Sequence, residues 1–335
     1  MKTVLSSLNE ALHAAMSDSP SVVFMGEDVL DPYGGAFKVS KGLSTAFPGR
    51  VFPTPISEAG IAAIATGMAL RGYRPVAEVM FGDFLFLAAD QLVNHAAKYR
   101  WMYGEKVTVP LVFRAPMGGR RGYGPTHSQT LEKHFLGVPG LWVVAPHELD
   151  EPGAVLRSAI DFDDPVLFVE NKIAYSNPLA EAPDGFSVEK LSEPGSPFPT
   201  TWLKPNDGCD GVIFSYGGMV GPTLAAVETL RSREDISLGL CVPTQLSPTP
   251  VEALRKIITA ANTDKFIYAE ECSVQNGWAS ELIAEIEQQR TLMELDGFQH
   301  TRVGAANHPI PSSRQQETDA LPQADDIVEA VLDCF

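Results

Sequence analysis

The sequence predicts an α/β protein of two domains, a mainly parallel sheet covered by helices followed by a smaller α/β domain. Three observations predict it. Val- and Phe-rich apolar runs alternate with helix-length amphipathic stretches through the first half. A stretch rich in Pro, Gly, Ser and acidic residues breaks that pattern between 176 and 208, and a second alternation follows it. At 335 residues the chain is long enough for two cores. The first domain is drawn at residues 1–185, a connection at 186–208 and the second domain at 209–335.

In the first half the expected strands are 21–28, 74–80, 107–114, 141–146 and 165–170. Such runs suit strands buried on both faces. An N-terminal amphipathic helix carries Val4, Leu8, Ala11, Leu12 and Ala15. A second helix after residue 58 is expected to bury Ile61, Ile64, Ala65 and Met68, and a third, over 84–102, to bury Leu85, Ala88, Leu92 and Ala96. In the second half, strands at 211–217, 237–243 and 265–271 alternate with helices at 221–232, 251–262 and 277–289. Pro222 and Pro250 sit at helix starts, where a missing N–H costs little. The last 45 residues read as less regular and end in a short helix-like segment.

Charge narrows the partners. The chain carries 42 acidic against 25 basic side chains, a formal net charge of −17. A field of that sign repels phosphate backbones and anionic membrane surfaces, so neither nucleic acid nor membrane is an expected partner. No apolar run approaches the roughly 20 residues that cross a bilayer. Cys209, Cys241, Cys272 and Cys334 fit no disulfide framework or zinc spacing. They read as free thiols in a reducing, cytoplasmic setting, and no metal-ligand set is expected.

Thr54-Pro55-Ile56-Ser57-Glu58-Ala59-Gly60 is the segment with the most chemistry in it. Pro55 biases Thr54 towards an extended conformation, and Ser57 can cap the apolar helix that follows. Glu58 then falls in the first helical turn. Plain capping and compensation of the helix dipole produce the same pattern. Phe84, in Met80-Phe81-Gly82-Asp83-Phe84, sits between a strand and a helix, as a core aromatic or a stacking surface would. Glu27 follows the first strand as a loop carboxylate, either solvated or paired. His127 lies in the loop Gly122–Gln129, where a histidine can meet a substrate and change charge near neutral pH, or bond to backbone. Arg114, Arg120 and Arg121 form a basic group whose forks match carboxylates, with surface ion pairing as the plainer reading. Gly34-Gly35 and Gly118-Gly119 fit no phosphate-loop spacing and read as turns.

Several blocks occur in an order and spacing similar to one family. They are Gly26-Glu27-Asp28-Val29, Tyr33-Gly34-Gly35-Ala36-Phe37 with Gly42-Leu43, and Pro55 to Gly60. Arg74-Pro75 with Glu78, Asp90-Gln91 with Asn94 and Ala96-Ala97-Lys98, and His127-Ser128-Gln129 follow. Pro139-Gly140-Leu141, Asp164-Pro165, Tyr216-Gly217, Leu246-Ser247-Pro248 and Asp326-Ile327-Val328-Glu329-Ala330 complete the set. The chain resembles the beta subunit of the thiamine diphosphate-dependent component of 2-oxo acid dehydrogenase complexes, of the pyruvate, branched-chain and acetoin types. The resemblance implies a transketolase-like pyrimidine-binding domain and a transketolase-like C-terminal domain. It also implies decarboxylation of a 2-oxo acid with reductive acyl transfer to a lipoyl group.

By that resemblance, Glu58 is the glutamate that hydrogen-bonds N1′ of the cofactor's aminopyrimidine, and Phe84 packs on the pyrimidine ring with Met80 beside it. Glu27 belongs to a proton-relay network, and His127 meets the 2-oxo acid; Arg121 is placed by its charge alone, facing the substrate entrance or a carboxylate on a partner chain. Enzymes of this class hold magnesium and diphosphate with a Gly-Asp-Gly segment, and no such segment occurs here. The implied partner is an alpha subunit that holds most of the Mg2+ and diphosphate site in an alpha2beta2 assembly, with a lipoyl acyltransferase as a further component.

The chain departs from the family at three places. Val242-Pro243-Thr244-Gln245 stands where the family reads Asp-Leu-Arg-Thr. Cys272 to Ala279 lacks a glycine-rich pattern, and Ser312-Ser313-Arg314-Gln315-Gln316-Glu317 replaces a more apolar stretch. These departures keep one alternative open, a carboligase or acyl-transfer subunit with a non-lipoyl acceptor; a non-catalytic assembly subunit is a second, against which the retained Glu58, Phe84 and His127 argue.

Overall fold

The computed structural model describes residues 2–335. The chain divides into two compact units, one running to Gly118 and resuming over Gln129–Leu179, the other made of Gly119–Ser128 and Ala180–Phe335.

In the first unit, helix α1 (Val4–Asp18) leads into β1 (Val22–Gly26), α2 (Leu43–Ala46), β2 (Val51–Pro53), α3 (Glu58–Leu70) and β3 (Arg74–Glu78). Then come α4 (Leu85–Asp90), a π-helical turn (Gln91–Ala96), α5 (Ala97–Met102), β4 (Val112–Met117), β5 (Trp142–Val144), α6 (Pro152–Asp161) and β6 (Val166–Asn171). The strands lie in the order β5-β6-β4-β3-β1-β2, and every neighbouring pair is parallel. Parallel strands need helical crossovers, which cover both faces and leave β1 and β4 wholly buried.

The helices hold their sequence-expected faces with one exception. Leu85, Ala88, Leu92 and Ala96 are all fully buried, although a π turn interrupts their helix. In α3, Ile61, Ala62, Ala65, Thr66 and Ala69 face inward and Ile64 is 56% exposed. Small residues let α3 approach β3 and α4 closely, so the helix turns its alanines inward rather than Ile64. The strand expected at 107–114 begins at Val112, because Pro110 has no N–H for a ladder.

The second unit contains β7 (Phe186–Leu191), β8 (Thr200–Pro205), β9 (Gly211–Ser215), α7 (Val220–Glu234), β10 (Leu238–Pro243), β11 (Gln245–Ser247) and α8 (Val251–Ala261). It continues with β12 (Lys265–Ser273), α9 (Trp278–Leu292), β13 (Gln299–Ala305), α10 (Arg314–Ala320) and α11 (Ala324–Leu332). Its six-stranded sheet has the order β13-β12-β9-β10-β8-β7, parallel from β13 to β10 and antiparallel from there to β7. The segment 186–208 is therefore not a bare connection. β7 and β8 pair from Phe186↔Pro205 to Leu191↔Thr200, and the buried Trp202 packs against Gly239, where a Cβ would come within 2.1 Å of the indole. Composition concealed this hairpin because β7 is an edge strand with mostly exposed side chains. The edge strand β13, polar and half-buried, was hidden for the same reason.

One close approach in the first unit requires glycine. Gly140 has φ +88°, and a Cβ there would lie 2.0 Å from the Ala97 carbonyl oxygen. Gly140→Ala combines left-handed strain with overpacking against backbone, an expected loss of about 3 kcal/mol. Thermal unfolding should fall by roughly 6–12 °C. An unchanged melting temperature would show that the Pro139–Leu141 turn yields freely.

Candidate functional site

Parallel register aligns Gly26, Glu78 and Arg114 across β1, β3 and β4. The carboxyl ends of parallel strands are where open α/β sheets place ligands. β1 ends at Gly26, so Glu27 is the first residue beyond the sheet. Thr54 follows β2, and its N–H donates to the Gly26 carbonyl at 3.0 Å. Pro55 keeps the chain extended until Ser57, whose Oγ accepts from the Gly60 N–H at 3.3 Å and caps α3. Glu58 is the first residue of α3 and is 5% exposed. The capping geometry expected from sequence is present, and it delivers a carboxylate into a buried position.

Glu27 and Glu58 are brought together. Glu27 is 6% exposed, and burial, then the charges of Glu58, Asp28 and Glu78, push its pKa up to about 7. Two like charges in a poorly solvated place cannot both ionise cheaply, so Glu27 holds its proton towards neutral pH. Its Oε1 is buried without a hydrogen-bond partner, as is Thr54 Oγ1. Buried polar atoms are normally satisfied, so two orphans around one helix start suit a polar group brought by a ligand or another chain.

Beside them lies a buried ionic group that the sequence reading missed. Arg114 is fully buried; Nη1 donates to Glu78 Oε2, while Nε and Nη2 donate to Glu170 at 2.7 and 2.6 Å. The Tyr175 hydroxyl donates to the same Glu170 carboxylate. Burial opposes the Arg114 cation, but Glu170 and Glu78 outweigh it and hold its pKa above the ordinary value. Burial raises the pKa of Glu78 against the pull of Arg114, and it raises Tyr175 well above the usual phenol range, with the Glu170 charge adding to it. Gly35, at φ +79°, leaves room for this group, since a Cβ there would meet Glu78 Oε1 at 2.9 Å. The reading of Arg114, Arg120 and Arg121 as one surface group is corrected. Arg114 lies inside the first unit, whereas Arg120 and Arg121 belong to the second. Charged residues inside apolar parallel strands were the available signal, because such side chains are buried only when paired.

Met80 precedes and Phe84 ends a 3-10 turn over Gly82–Phe84, and both are half-buried. The Phe84 N–H donates to Phe81 O at 3.1 Å, and the two rings meet edge to face with centroids 6.3 Å apart. Asp83 Oδ1 accepts from the Gln129 N–H at 3.2 Å and from its Nε2 at 3.0 Å. Phe84 also caps α4, which packs on α3, so the turn is fixed at both ends.

His127 and Arg121 lie in Gly119–Ser128, the loop counted with the second unit. Arg121 is exposed and His127 half-buried, with His127 Nδ1 3.0 Å from Thr126 Oγ1. Among the described residues no cluster of His, Cys, Asp and Glu could hold a metal, no helix is long and apolar enough to cross a membrane, and the cysteines are free.

The family model described as transketolase, pyrimidine binding domain, matches residues 2–178, and that described as transketolase, C-terminal domain, matches residues 201–327. The chain is 37% identical over 330 residues to pyruvate dehydrogenase E1 component subunit beta-2, mitochondrial, of Oryza sativa subsp. japonica, covering 98% of this chain and 85% of that protein. It belongs to the E1 beta-subunit family of the transketolase-like superfamily. This E1 beta-family chain is also 33% identical to acetoin:2,6-dichlorophenolindophenol oxidoreductase subunit beta of Cupriavidus necator, over 96% of this chain and 94% of that one. Among solved structures, a split gene transketolase described as an inactive beta4 tetramer shares the fold, with TM-score 0.72 and 22% identity over 98% of this chain and 96% of that one.

In this E1 beta-family chain the raised Glu27 has a measurable signature. Glu27 keeps its proton to about 7 when folded but only to about 4.5 otherwise, so the folded chain binds more protons in between. Stability from this group is full below about 4.5 and is lost as the pH rises through about 7. Glu27→Gln never ionises, so it should gain stability relative to the parent from about pH 5 to about pH 8. Denaturant midpoints of the two proteins across that range test this, and a constant difference would place the Glu27 pKa near its ordinary value.

Proposed function

We propose that the chain is the beta subunit of a thiamine diphosphate-dependent 2-oxo acid dehydrogenase and that it supplies the pyrimidine-activating half of the active site. The carrying observation is the buried Glu58 carboxylate at the start of α3, beside a Glu27 whose Oε1 has no partner. The residues present fit that half of the cofactor. Glu58 can hold a proton between its carboxylate and the ring nitrogen N1′, a charge-assisted bond that gains strength where water is excluded. Glu27 titrates near neutral pH and can take or return that proton. The Phe84 face gives an apolar ring support without competing for the proton, and Met80 flanks the same turn.

When bound, thiamine diphosphate supplies the carbon nucleophile that adds to the 2-oxo group and accommodates the electron pair left as carbon dioxide departs. His127 stands ready at the substrate carboxylate or for proton transfer, and Arg121 on the same loop offers a cation to an approaching 2-oxo acid. A lipoyl disulfide would serve as acceptor and oxidant, its S–S bond breaking as one sulfur takes the acyl group as a thioester and the other becomes a thiol, while the fragment left by decarboxylation is oxidised to the acyl level.

The diphosphate and Mg2+ are assigned to an alpha-type partner, because this sequence has no Gly-Asp-Gly segment. Exposed apolar side chains around the Glu58 helix favour a second chain there: Phe52 is 38%, Ile56 81% and Ile64 56% exposed. Pyruvate, in the name of one relative, is a 2-oxo acid and supports the 2-oxo acid reading; acetoin, in the name of the other, is a hydroxyketone and does not.

The test uses the chain assembled with its alpha-type partner, thiamine diphosphate and Mg2+. Glu58→Gln should leave assembly intact and slow exchange of the thiazolium C2 proton by about 100-fold or more. Near-parental exchange would remove Glu58 from the role. Carbon dioxide release with lipoyl reduction supports the dehydrogenase; product formed at full rate without any lipoyl protein would move the chain to a non-lipoyl acceptor.

A further inference from the structure

The loop that carries His127 is held in an unusual way. Gly119 N–H and Arg120 Nη1 donate to the two oxygens of Glu271, each at 2.7 Å, and the Glu271 side chain is 5% exposed. Arg120 Nη2 donates to Pro322 O at 2.7 Å. The Gly122 N–H donates to Glu317 Oε2, and Glu317 is fully buried with its Oε1 unpartnered. Arg120, Gly122 and Gly124 all have left-handed backbones, at φ +70°, +74° and +80°. Such conformations persist only where the surroundings enforce them.

Those surroundings are mostly one segment. A Cβ on Gly119 would lie 2.4 Å from Leu321 Cδ1 and 3.1 Å from Glu317 Oε1, and one on Gly124 would lie 2.9 Å from Ser312 Oγ. Residues 312–317 are where the sequence departs from the more apolar pattern of the family, and here they bring a buried carboxylate to a backbone amide. A solvated carboxylate would be cheaper than a buried one with an idle oxygen. Its position is therefore informative.

We propose that Glu317 and Glu271 are positioning residues that fix the backbone of the Gly119–Ser128 loop, so that the C-terminal segment 312–322 sets where His127 presents its ring to a 2-oxo acid. The proposal rests on the reading of His127 as the substrate-facing residue. The carboxylates touch neither substrate nor cofactor. They act by removing the loop's freedom, and misplacement of a reacting group by about 1 Å can cost on the order of 100-fold in rate.

The test again uses the assembled enzyme. Glu317→Leu keeps the volume but removes the acceptor, and Glu317→Gln restores an acceptor oxygen. Glu317→Leu should speed deuterium exchange at the Gly119–Gly122 amides and lower kcat/KM for the 2-oxo acid by roughly 10- to 100-fold. Glu317→Gln should recover most of both. In a background lacking both side chains the loop presents to substrate, His127→Ala with Arg121→Ala, Glu317→Leu should cost nothing further, because the effect runs through those two residues. An equal additional loss in that background, or parental amide protection in Glu317→Leu, would overturn the proposal. Should Glu317→Leu fail to assemble, Glu271→Leu takes the same readouts, with Glu271→Gln as its rescue and the same expected and overturning results. A parent inactive towards every 2-oxo acid would defeat the proposed function, while amide exchange would still decide whether Glu317 anchors the loop.

Discussion

The buried Arg114 pair is the constraint on which the rest of the first unit depends. One guanidinium joins Glu78 at the end of β3 to Glu170 in β6, from its own place on β4 between them. Parallel register makes this possible, since Glu78 is opposite Arg114 and Glu170 is opposite Pro116, two residues further along β4. Removing one partner from such a buried group strands a charge, typically at a cost of about 3–5 kcal/mol. The three strands are therefore tied at the edge where the candidate residues emerge, and that edge has little freedom to shift. Gly26 is opposite Glu78 on the other side, and a Cβ there would come within 2.7 Å of Glu78 O, so Glu27 leaves the sheet from an equally fixed point.

The same group sets the electrostatics. Among the described residues of this unit six glutamates are buried, Glu27, Glu58, Glu78, Glu132, Glu148 and Glu170, along with Arg114 and Lys172. Arg114 is committed to two of the carboxylates by direct hydrogen bonds. Glu27 has no such partner on either side and feels Glu58, Asp28 and Glu78 as like charges. Its raised pKa is thus a consequence of where the cation has been spent as much as of burial. A proton-transfer group poised near neutral pH needs that kind of imbalance.

Much of this was legible in the sequence, and each failure has a physical cause. Pro55, Ser57 and the alanine-rich run predicted the start of α3, and the structure places Glu58 at its first residue with Ser57 as the cap. The alternation of apolar strands and helices predicted the parallel sheet, because those signals are local. Arg114 looked like a surface charge because Glu78 and Glu170 are 36 and 56 residues away from it. Likewise, β7 and β8 read as linker because an exposed edge strand lacks the apolar run that announces a buried one. The π turn at Gln91–Ala96 left the buried face of 84–102 unchanged, so the apolar spacing could not reveal it.

The candidate residues are consequently held by two different kinds of support. Glu27 and Glu58 take their places from strand register and a helix start, which any sequence keeping the sheet will reproduce. The loop that carries His127 is held at Gly119 and Gly122 by hydrogen bonds to carboxylates supplied by residues 271 and 317, near the places where this chain leaves the family's pattern. A loop held in this way can be reset by substitutions that never touch the sheet or the Glu58 helix. The proton handling proposed for Glu58 and the recognition proposed for His127 can then diverge independently. That separation suits a chain that resembles the family over Pro55 to Gly60 and departs from its pattern at residues 312–317.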